Sequence, residues 1–341
     1  MSGEREGSES GERARGERSE PLVDLVLSIG HVGRSYPMLA ECLRSVYAED
    51  APGFRYEVWV VYNGPPRPDF ESELRRDFPQ VARVVYEPGP LGFCRTHNLV
   101  LGTARARYQL ILDDDTIVAP GTLSGMVAFM DANPRVGMAG CKTLNPDGSF
   151  QRIWGLLPTL GTELRSIWER DVYWPARLFE RPDAEQDVPW LNGSFMLVRQ
   201  QTLDQVGLLD EHYYTYFCES DWAWRMQKAG WRVVYVPAHS IVHVGGEHSI
   251  NTSQKQPIQI VRAFANRFHY FTKHHGGAAH ALLRPITALA ALTRIARWSV
   301  AGRLRPEARE VARARVAGFW DVLKLCFARD PDVLPAKYRP G

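Results

Sequence analysis

Short apolar runs alternate with amphipathic segments along the first two thirds of the chain. The run VDLVLSIG (Val23–Gly30) is almost continuously apolar, as expected for a strand that is buried on both faces. In the segment that follows, apolar residues recur at helical spacing from Met38 to Val46, and Pro37 suits a first helical turn. This order of strand and helix predicts an α/β fold with a mostly parallel central sheet flanked by helices.

Predicted strands and helices continue to alternate along the chain as far as the strand that follows Gly230. Leu156–Asp187 is the exception, because it is rich in Trp, Pro and charge and predicts no regular element, only an irregular lid or wall. Gly230 is a suitable residue to end the helix before the last strand. Strands are predicted at YEVWVVY, VARVVYE, YQLIL, VGMAGCK, GSFMLVRQ and WRVVYVP, and helices at Phe70–Phe78, at Asn98–Ala106, after Pro120-Gly121, at TLDQVGLLD and at SDWAWRMQKAG.

Composition restricts the possible classes of protein. With 341 residues, 45% of them hydrophobic and 23% charged, the chain is long enough for one large domain with an extension. The net charge of +2 argues against general nucleic-acid binding. Five scattered cysteines without CxxC spacing indicate reduced thiols. Residues 1–20 lack an apolar signal core and are expected to be disordered, and no apolar run would span a bilayer, so a cytoplasmic protein is expected.

The C-terminal region from Ile258 is predicted to be helical and basic. Its apolar stripe allows two interpretations, a helix that packs on the domain or an interfacial helix that rests on anionic lipid. The stripe consists of Ile286, Leu289, Leu292 and Ile295, and the nearby arginines are Arg294, Arg297, Arg303 and Arg305.

Three consecutive aspartates follow the YQLIL strand. Side chains alternate along a strand, so Asp113 and Asp115 can point the same way with Asp114 turned oppositely. Carboxylate oxygens suit Mg²⁺ and Mn²⁺, although an acidic turn at a strand end is an equally good interpretation. Downstream, Glu219 and Asp221 begin a helix, where they could instead balance the helix dipole, and His243 follows an apolar strand and could be structural.

Seven motifs occur in order between Val23 and Lys273. They are VVYNGPP, GFCRTHN, LILDDDTIVAPGTL, PRVGMAGCKTLNPDGS, NGSFMLVRQ, VGLLDEHYYTYFCESDWAWRMQKAGW and the segment from His243 to Gly246. Together they resemble the inverting family-2 glycosyltransferases of the GT-A fold, closest to the rhamnosyltransferase-like branch. The resemblance implies a domain at 21–250, with a nucleotide-sugar half (21–125) and an acceptor half (126–250). A basic helical extension covers 251–341.

The resemblance also implies roles for individual residues. Asp113, Asp115 and His243 would hold Mn²⁺ or Mg²⁺ against the diphosphate of a dTDP-, UDP- or GDP-sugar. Glu219 would be the general base that deprotonates a hydroxyl of a glycan or polyprenyl-diphosphate-linked acceptor in polysaccharide synthesis. The implied donor-side residues are Tyr62, Asn63, Arg95, Asn98 and Asp114, and the acceptor-side residues are Trp190, Asn192, Gly193, Asp221 and Arg225. Asp221 and Arg225 would either orient the acceptor or fix Glu219, and the C-terminal helices could contact the membrane.

The chain departs from the family pattern at several positions. Tyr62 replaces the usual aspartate, His31 lies in an altered first strand end, His97 replaces an asparagine, and Cys218 replaces the first acid of a Glu-Asp pair. These departures leave the donor base open. They also keep open a catalytically degenerate binding subunit. A sugar-phosphate nucleotidyltransferase is less well supported, because SIGHVGRSYP lacks a dense glycine-rich phosphate loop.

Overall fold

The structure is a computed structural model that describes residues 23–33, 35–48, 53–89, 91–169, 172–245, 256–335 and 338. The tail expected at residues 1–20 and the final Gly246 of the last motif lie outside the described residues. Nine strands are assigned in the described part of the chain, and all nine join one sheet. They are β1 (Val23–His31), β2 (Tyr56–Tyr62), β3 (Arg83–Tyr86), β4 (Ala106–Asp113), β5 (Thr116–Val118), β6 (Val136–Leu144), β7 (Gln186–Asp187), β8 (Phe195–Arg199) and β9 (Arg232–His243).

Helices cover both faces of this sheet and continue beyond it. Short 3-10 turns add Ala176–Phe179 and Pro306–Ala308. The α-helices are α1 (Tyr36–Tyr47), α2 (Phe70–Asp77), α3 (Phe93–Leu101), α4 (Thr122–Ala132), α5 (Leu160–Arg165), α6 (Gln200–Val206), α7 (Cys218–Lys228), α8 (Pro257–Leu304) and α9 (Arg309–Phe327).

The sheet is parallel in its first half and mixed in its second. The strand order is β3-β2-β1-β4-β8-β6-β9-β5, with β7 paired to β9. The first four strands are parallel and β6 is parallel to β9, but β8 is antiparallel to both β4 and β6. The chain reaches β8 through the long segment after β6 that contains α5 and β7, and this segment returns it in the opposite direction.

The register of the parallel strands places the ends of β1, β2 and β4 side by side. Gly30 pairs with Asp113, and His31 pairs with Tyr62. Along β1, Leu25, Leu27 and Ile29 are fully buried on one face of the sheet, so the near-continuous apolar run behaves as the sequence predicts. Side chains that follow these strands therefore meet at one edge, where open α/β sheets bind their ligands.

One predicted helix has different boundaries in the structure. The sequence predicts a helix at Asn98–Ala106, whereas α3 ends at Leu101 and β4 already starts at Ala106. Gly92 has a φ of 79°, which lets the chain turn into α3 five residues before Asn98. The predicted boundaries are wrong because the glycine turn sets the start of this helix.

The C-terminal helices form a core of their own beside the sheet domain. Helix α8 is broken at Gly276, where φ is 80°, and α9 packs against it. The buried Arg267 of α8 binds Glu163 at 2.9 Å, which ties this core to the segment after β6. Among the described residues, no helix combines the length and the apolar character needed to cross a bilayer.

Candidate active site

Strand pairing brings the three aspartates and His243 together. Asp113 ends β4, Thr116 begins β5, and Thr116 pairs with His243 at the end of β9. His243 Nε2 lies 3.2 Å from Asp115 Oδ1 and 3.7 Å from Asp113 Oδ2. The three candidate ligand atoms all lie within 4.8 Å of one another. We call Asp113, Asp115 and His243 the carboxylate–histidine cluster.

A buried glutamine fixes the orientation of the His243 ring. Gln151 Oε1 lies 2.7 Å from His243 Nδ1, while the Gln151 amide nitrogen donates to Asn145 Oδ1 at 2.9 Å. The glutamine oxygen therefore accepts a hydrogen bond from Nδ1–H, which leaves Nε2 facing the carboxylates. Sequence reasoning missed Gln151, because a lone glutamine in a loop carries no signal of the histidine it contacts 92 positions away.

The electrostatics of the cluster favour a bound cation. The pKa of Asp113 is raised to about 7, mainly by burial, which His243 opposes and to which the charges of Asp115, Asp114 and Glu219 add. Burial opposes protonation of His243, but the neighbouring carboxylates still raise its pKa above the ordinary value. Acids that repel one another in this way are relieved by a divalent cation.

The cluster also has the donor set and the space that such a cation requires. Two carboxylates and one imidazole suit Mn²⁺ or Mg²⁺. Gly245 lies against this cluster, because a Cβ at that position would come within 2.1 Å of Asp115 Oδ2. Any larger side chain would displace this carboxylate. With the three ligand atoms within 4.8 Å of one another, the residues present fit a bound metal ion.

Asp114 points away from the carboxylate–histidine cluster, as strand alternation predicts. Its Oδ2 lies 2.5 Å from Nδ1 of His31, which is completely buried at the end of β1. The His31 ring stacks on Phe70 at a centroid distance of 5.4 Å. His31 thus holds Asp114 at the end of β1, where the sequence departs from the family pattern, and contact of Asp114 with a donor stays a prediction.

Tyr62 and Asn63 lie at the end of β2, at the same edge of the sheet. Tyr62 is 2% exposed, stacks on Tyr86 at 5.2 Å, and donates its hydroxyl to the carbonyl of Pro65. Asn63 is also buried, and its amide donates to the Thr96 hydroxyl. Both side chains therefore bind other protein groups, and their contact with a donor stays a prediction.

The two predicted donor-side residues of α3, Asn98 and Arg95, differ in their exposure to solvent. Asn98 donates to the Leu209 carbonyl at 2.8 Å and accepts from the Leu209 amide at 3.2 Å, so it clamps α3 to the loop before α7. Arg95, by contrast, is exposed. Contact of either residue with a donor stays a prediction.

Glu219 lies at the start of α7, after a strained turn. Tyr216 and Phe217 have φ angles of 65° and 67°, which non-glycine residues seldom adopt and which concentrate at functional sites. Burial raises the pKa of Glu219, and the Cys218 thiol donates to its Oε2 at 3.2 Å. Because the charge of Glu219 contributes to the raised pKa of Asp113, the two carboxylates belong to one electrostatic site.

Asp221 and Arg225 have structural contacts. Asp221 is completely buried and binds Arg225 Nε at 2.9 Å, Lys273 Nζ at 2.7 Å and His274 Nε2 at 2.7 Å. Arg225 also donates to the carbonyl of Leu208 at 2.7 Å. We call these four residues the Asp221 network. It fastens α7 to α8, which favours the interpretation in which Asp221 and Arg225 fix Glu219.

The predicted acceptor-side residues lie beside the aspartates. The Asp113 amide donates to the Ser194 carbonyl at 3.4 Å, and the Ser194 hydroxyl donates to Asn192 Oδ1 at 2.6 Å. Gly193 packs so closely on Phe93 that a Cβ would come within 2.5 Å of its ring. Trp190 is half-buried, with its indole nitrogen 3.4 Å from the Leu156 carbonyl. Acceptor binding by these residues stays a prediction.

Comparison with known proteins places this site in a family. The model of glycosyl transferase family 2 matches residues 33–206. Among curated proteins, an N-acetylglucosaminyl-diphospho-decaprenol L-rhamnosyltransferase of Mycobacterium tuberculosis is 30% identical over 184 residues. That alignment covers 52% of this chain and 59% of the relative, so the chain spans little more than half the length of the relative that it matches.

Solved structures show the same fold at low identity. A mannosyltransferase from Pyrobaculum calidifontis, in complex with GDP-Man and Mn²⁺, superposes with a TM-score of 0.52 and 18% identity over 90% of this chain and 86% of its own. GalNAc-T7 with UDP, GalNAc and Mn²⁺ gives a TM-score of 0.52 and 13% identity over 66% and 44%. The predicted GT-A fold is confirmed, and the chain belongs to glycosyl transferase family 2.

Proposed function

We propose that this protein transfers a sugar, hexosyl or rhamnosyl, from a nucleotide-diphosphate donor to a hydroxyl of an acceptor, with inversion at the anomeric carbon. The observation that carries the proposal is the carboxylate–histidine cluster at the sheet edge together with Glu219, whose charge reaches Asp113. Carboxylates with a raised pKa in a cleft concentrate at catalytic sites, which favours an enzyme over a purely binding protein.

Asp113, Asp115 and His243 would hold Mn²⁺ or Mg²⁺. The metal ion, when bound, would neutralise negative charge on the departing nucleoside diphosphate. Gln151 holds the His243 ring with Nε2 towards Asp113 and Asp115, and Gly245 lies against Asp115, where a larger side chain would displace the carboxylate. Mn²⁺ is present in the two related structures, which supports a divalent cation here.

Glu219 would act as the general base. Burial raises the pKa of Glu219, which makes the carboxylate a stronger base for the proton of an acceptor hydroxyl. A single base on the face opposite the leaving group produces an in-line displacement and hence inversion. The Asp221 network holds the helix that carries Glu219, and the Cys218 thiol donates to the Glu219 carboxylate, so both support a fixed position of the base.

The donor base and the acceptor are the finer parts of the proposal. His31 and Tyr62 shape the donor-side edge, and a dTDP-, UDP- or GDP-sugar is the proposed donor class. The name of the mycobacterial relative supports a polyprenyl-diphosphate-linked glycan as the acceptor, in cell-surface polysaccharide synthesis. Such an acceptor would place the reaction on the cytoplasmic face of the cell membrane.

Substitution of the base tests this function. In Glu219→Gln, we expect transfer to fall by about 10²–10⁴-fold, because a positioned general base contributes a factor of this size. Mn²⁺ binding should persist, since the glutamine leaves the carboxylate–histidine cluster intact. Unchanged turnover would contradict the assignment of Glu219 as the base.

A screen of donors tests the substrate class. Thermal melting of the protein is measured with UDP-, dTDP- and GDP-sugars, each with and without Mn²⁺. A ligand that binds the native state raises the melting temperature, so one base should stabilise more than the others, and only with Mn²⁺. A chain that none of these donors stabilises would not be a nucleotide-sugar enzyme of the proposed class.

A further inference from the structure

Helix α8 exposes a continuous apolar face after its break at Gly276. Leu289 and Leu292 are 51% and 45% exposed, and Leu304 is 76% exposed. Exposed positions recur every three or four residues over 22 residues, which places them on one side of a helix segment about 33 Å long. We call this face the α8 ridge; it consists of Leu282, Pro285, Leu289, Leu292, Ala296, Val300 and Leu304.

The opposite face of the same helix packs against the protein, so the α8 ridge is the face that is turned to solvent. Leu283 and Ala291 are completely buried. Arg284 Nε donates to the Cys326 carbonyl at 2.8 Å, and Arg294 donates to the Ser166 carbonyl at 2.8 Å. The packed face agrees with the interpretation of a helix that packs on the domain, and lipid contact of the exposed face stays a prediction.

Helix α9 has a second exposed face in which basic and aromatic residues alternate. Trp320 is 48% exposed and Phe327 is 76% exposed. Side chains of this kind suit a bilayer interface, where aromatic rings lie at the headgroups and basic groups meet lipid phosphates. The exposed positions at helical spacing are Arg313, Ala317, Trp320, Lys324 and Phe327.

The C-terminal region differs from the remainder of the chain in the sign of its net charge. Residues 257–341 contain fifteen Lys and Arg against five Asp and Glu, whereas residues 1–256 contain twenty-six against thirty-four. Two copies that met through the α8 ridge would bring two strongly basic regions together, which costs energy. A surface of anionic lipid would instead neutralise this charge.

We propose that the α8 ridge and the exposed face of α9 rest on an anionic lipid surface. The apolar ridge and the basic charge supply two separate attractions, and stable membrane attachment generally requires two. The inference rests on the proposed function in one respect, because a lipid-linked acceptor gives such a contact its use. It identifies the surface that would bring the enzyme to its acceptor.

Vesicle sedimentation of the full chain tests the surface directly. Vesicles of phosphatidylcholine alone are compared with vesicles of equal parts phosphatidylcholine and phosphatidylglycerol, without donor or acceptor. The protein should sediment with the anionic vesicles and much less with the neutral ones, and added salt should release it. Equal or absent binding to both would overturn the proposal.

A double substitution tests the ridge itself. In Leu289→Ser with Leu292→Ser, we expect vesicle partition to fall about 10-fold or more, because two apolar side chains no longer enter the interface. Val333→Ser is the matched control, since Val333 is 45% exposed but lies outside both helices, and its partition should be unchanged. Melting temperatures of both variants should match the wild type.

Two outcomes separate this inference from its alternatives. If the double variant binds vesicles normally but changes from dimer to monomer in ultracentrifugation, the α8 ridge is a self-association surface and the proposal is wrong. Transfer to a soluble acceptor distinguishes the two proposals, because the double variant should retain it while Glu219→Gln should not. Loss of vesicle binding with retained soluble transfer is the expected result.

Discussion

Two clusters of charged side chains, one at the end of β4 and one at α7, differ in their ratio of acidic to basic residues. In the carboxylate–histidine cluster, two carboxylates, Asp113 and Asp115, lie 3.7 Å and 3.2 Å from one histidine nitrogen. In the Asp221 network, one carboxylate meets an arginine, a lysine and a histidine within 2.9 Å. Asp221 is completely buried, whereas Asp113 and Asp115 keep 32% and 23% of their side chains exposed.

The difference teaches how to separate a binding site from a structural one. A satisfied buried carboxylate stabilises the fold and has no capacity left for a ligand. Acids that lie close to one another and remain accessible are suited to an added cation. Residue type alone does not distinguish them, because both groups combine aspartate with histidine. The following predictions test this contrast.

The largest effect on activity is expected at the carboxylate–histidine cluster. Asp115→Asn should lower the transfer rate about 10³-fold, because the bound ion contributes several kcal/mol to stabilising the leaving group. The free energy of unfolding without metal should not fall, since one of the repelling charges is removed. Steady-state kinetics and urea unfolding measure the two quantities.

A surface carboxylate provides the control for that experiment. Asp183 pairs with Lys142 and is 77% exposed, so Asp183→Asn should change neither quantity measurably. If Asp115→Asn retained full activity, the cluster would not be the metal site.

The opposite result is expected for the Asp221 network. Asp221→Asn should lower the free energy of unfolding by about 3–5 kcal/mol, because Arg225 and His274 lose their completely buried carboxylate partner. Asp187→Asn removes an exposed pair with Arg232 and should cost less than about 1 kcal/mol. Urea unfolding of both variants measures the difference, and equal stabilities would refute the structural role of Asp221.

A smaller effect is expected from the glutamine behind His243. Gln151→Leu should weaken Mn²⁺ binding about 10–100-fold, which is the usual cost of losing a partner that orients a metal-binding histidine. Gln205→Leu is the control, because the Gln205 side chain binds Trp231 instead. Calorimetric titration with Mn²⁺ compares them, and equal affinities would show that Gln151 does not orient His243.

The pH dependence should give the smallest effect. Glu219 must be ionised to accept a proton, and burial raises its pKa above the ordinary value of 4.5. The rate at saturating Mn²⁺ should therefore fall tenfold per unit as pH drops through this raised pKa, with the midpoint above pH 4.5. Glu219→Gln should lack this limb in its residual activity, and a midpoint at or below pH 4.5 would contradict the burial effect.

Much of the fold could be predicted because local patterns carry it. The apolar run of β1 and the helical spacing of α1 each identify their element without any distant partner. The antiparallel placement of β8 could not be predicted, since it depends on how the segment after β6 returns to the sheet. The contact of Glu163 with Arg267, 104 residues apart, fixes that segment and leaves no local pattern.

The candidate site also has one part that the sequence predicts and another part that it does not. Asp113, Asp115 and His243 were predicted together, and the structure brings their ligand atoms within 4.8 Å. The structural contacts of Asp221 were not foreseen, because Lys273 and His274 lie more than fifty positions away and on another helix. Sequence reasoning therefore identifies reactive side chains better than it identifies the partners that neutralise them.

Binding of Mn²⁺ tests the central claim most directly. Electron paramagnetic resonance follows the loss of the free Mn²⁺ signal as protein is added, with and without UDP, dTDP or GDP. The wild type should bind one ion per chain, more tightly with the matching nucleotide, and the double variant Asp113→Asn with Asp115→Asn should bind none. Binding of equal strength and stoichiometry by the double variant would contradict the assignment of the carboxylate–histidine cluster as the metal site.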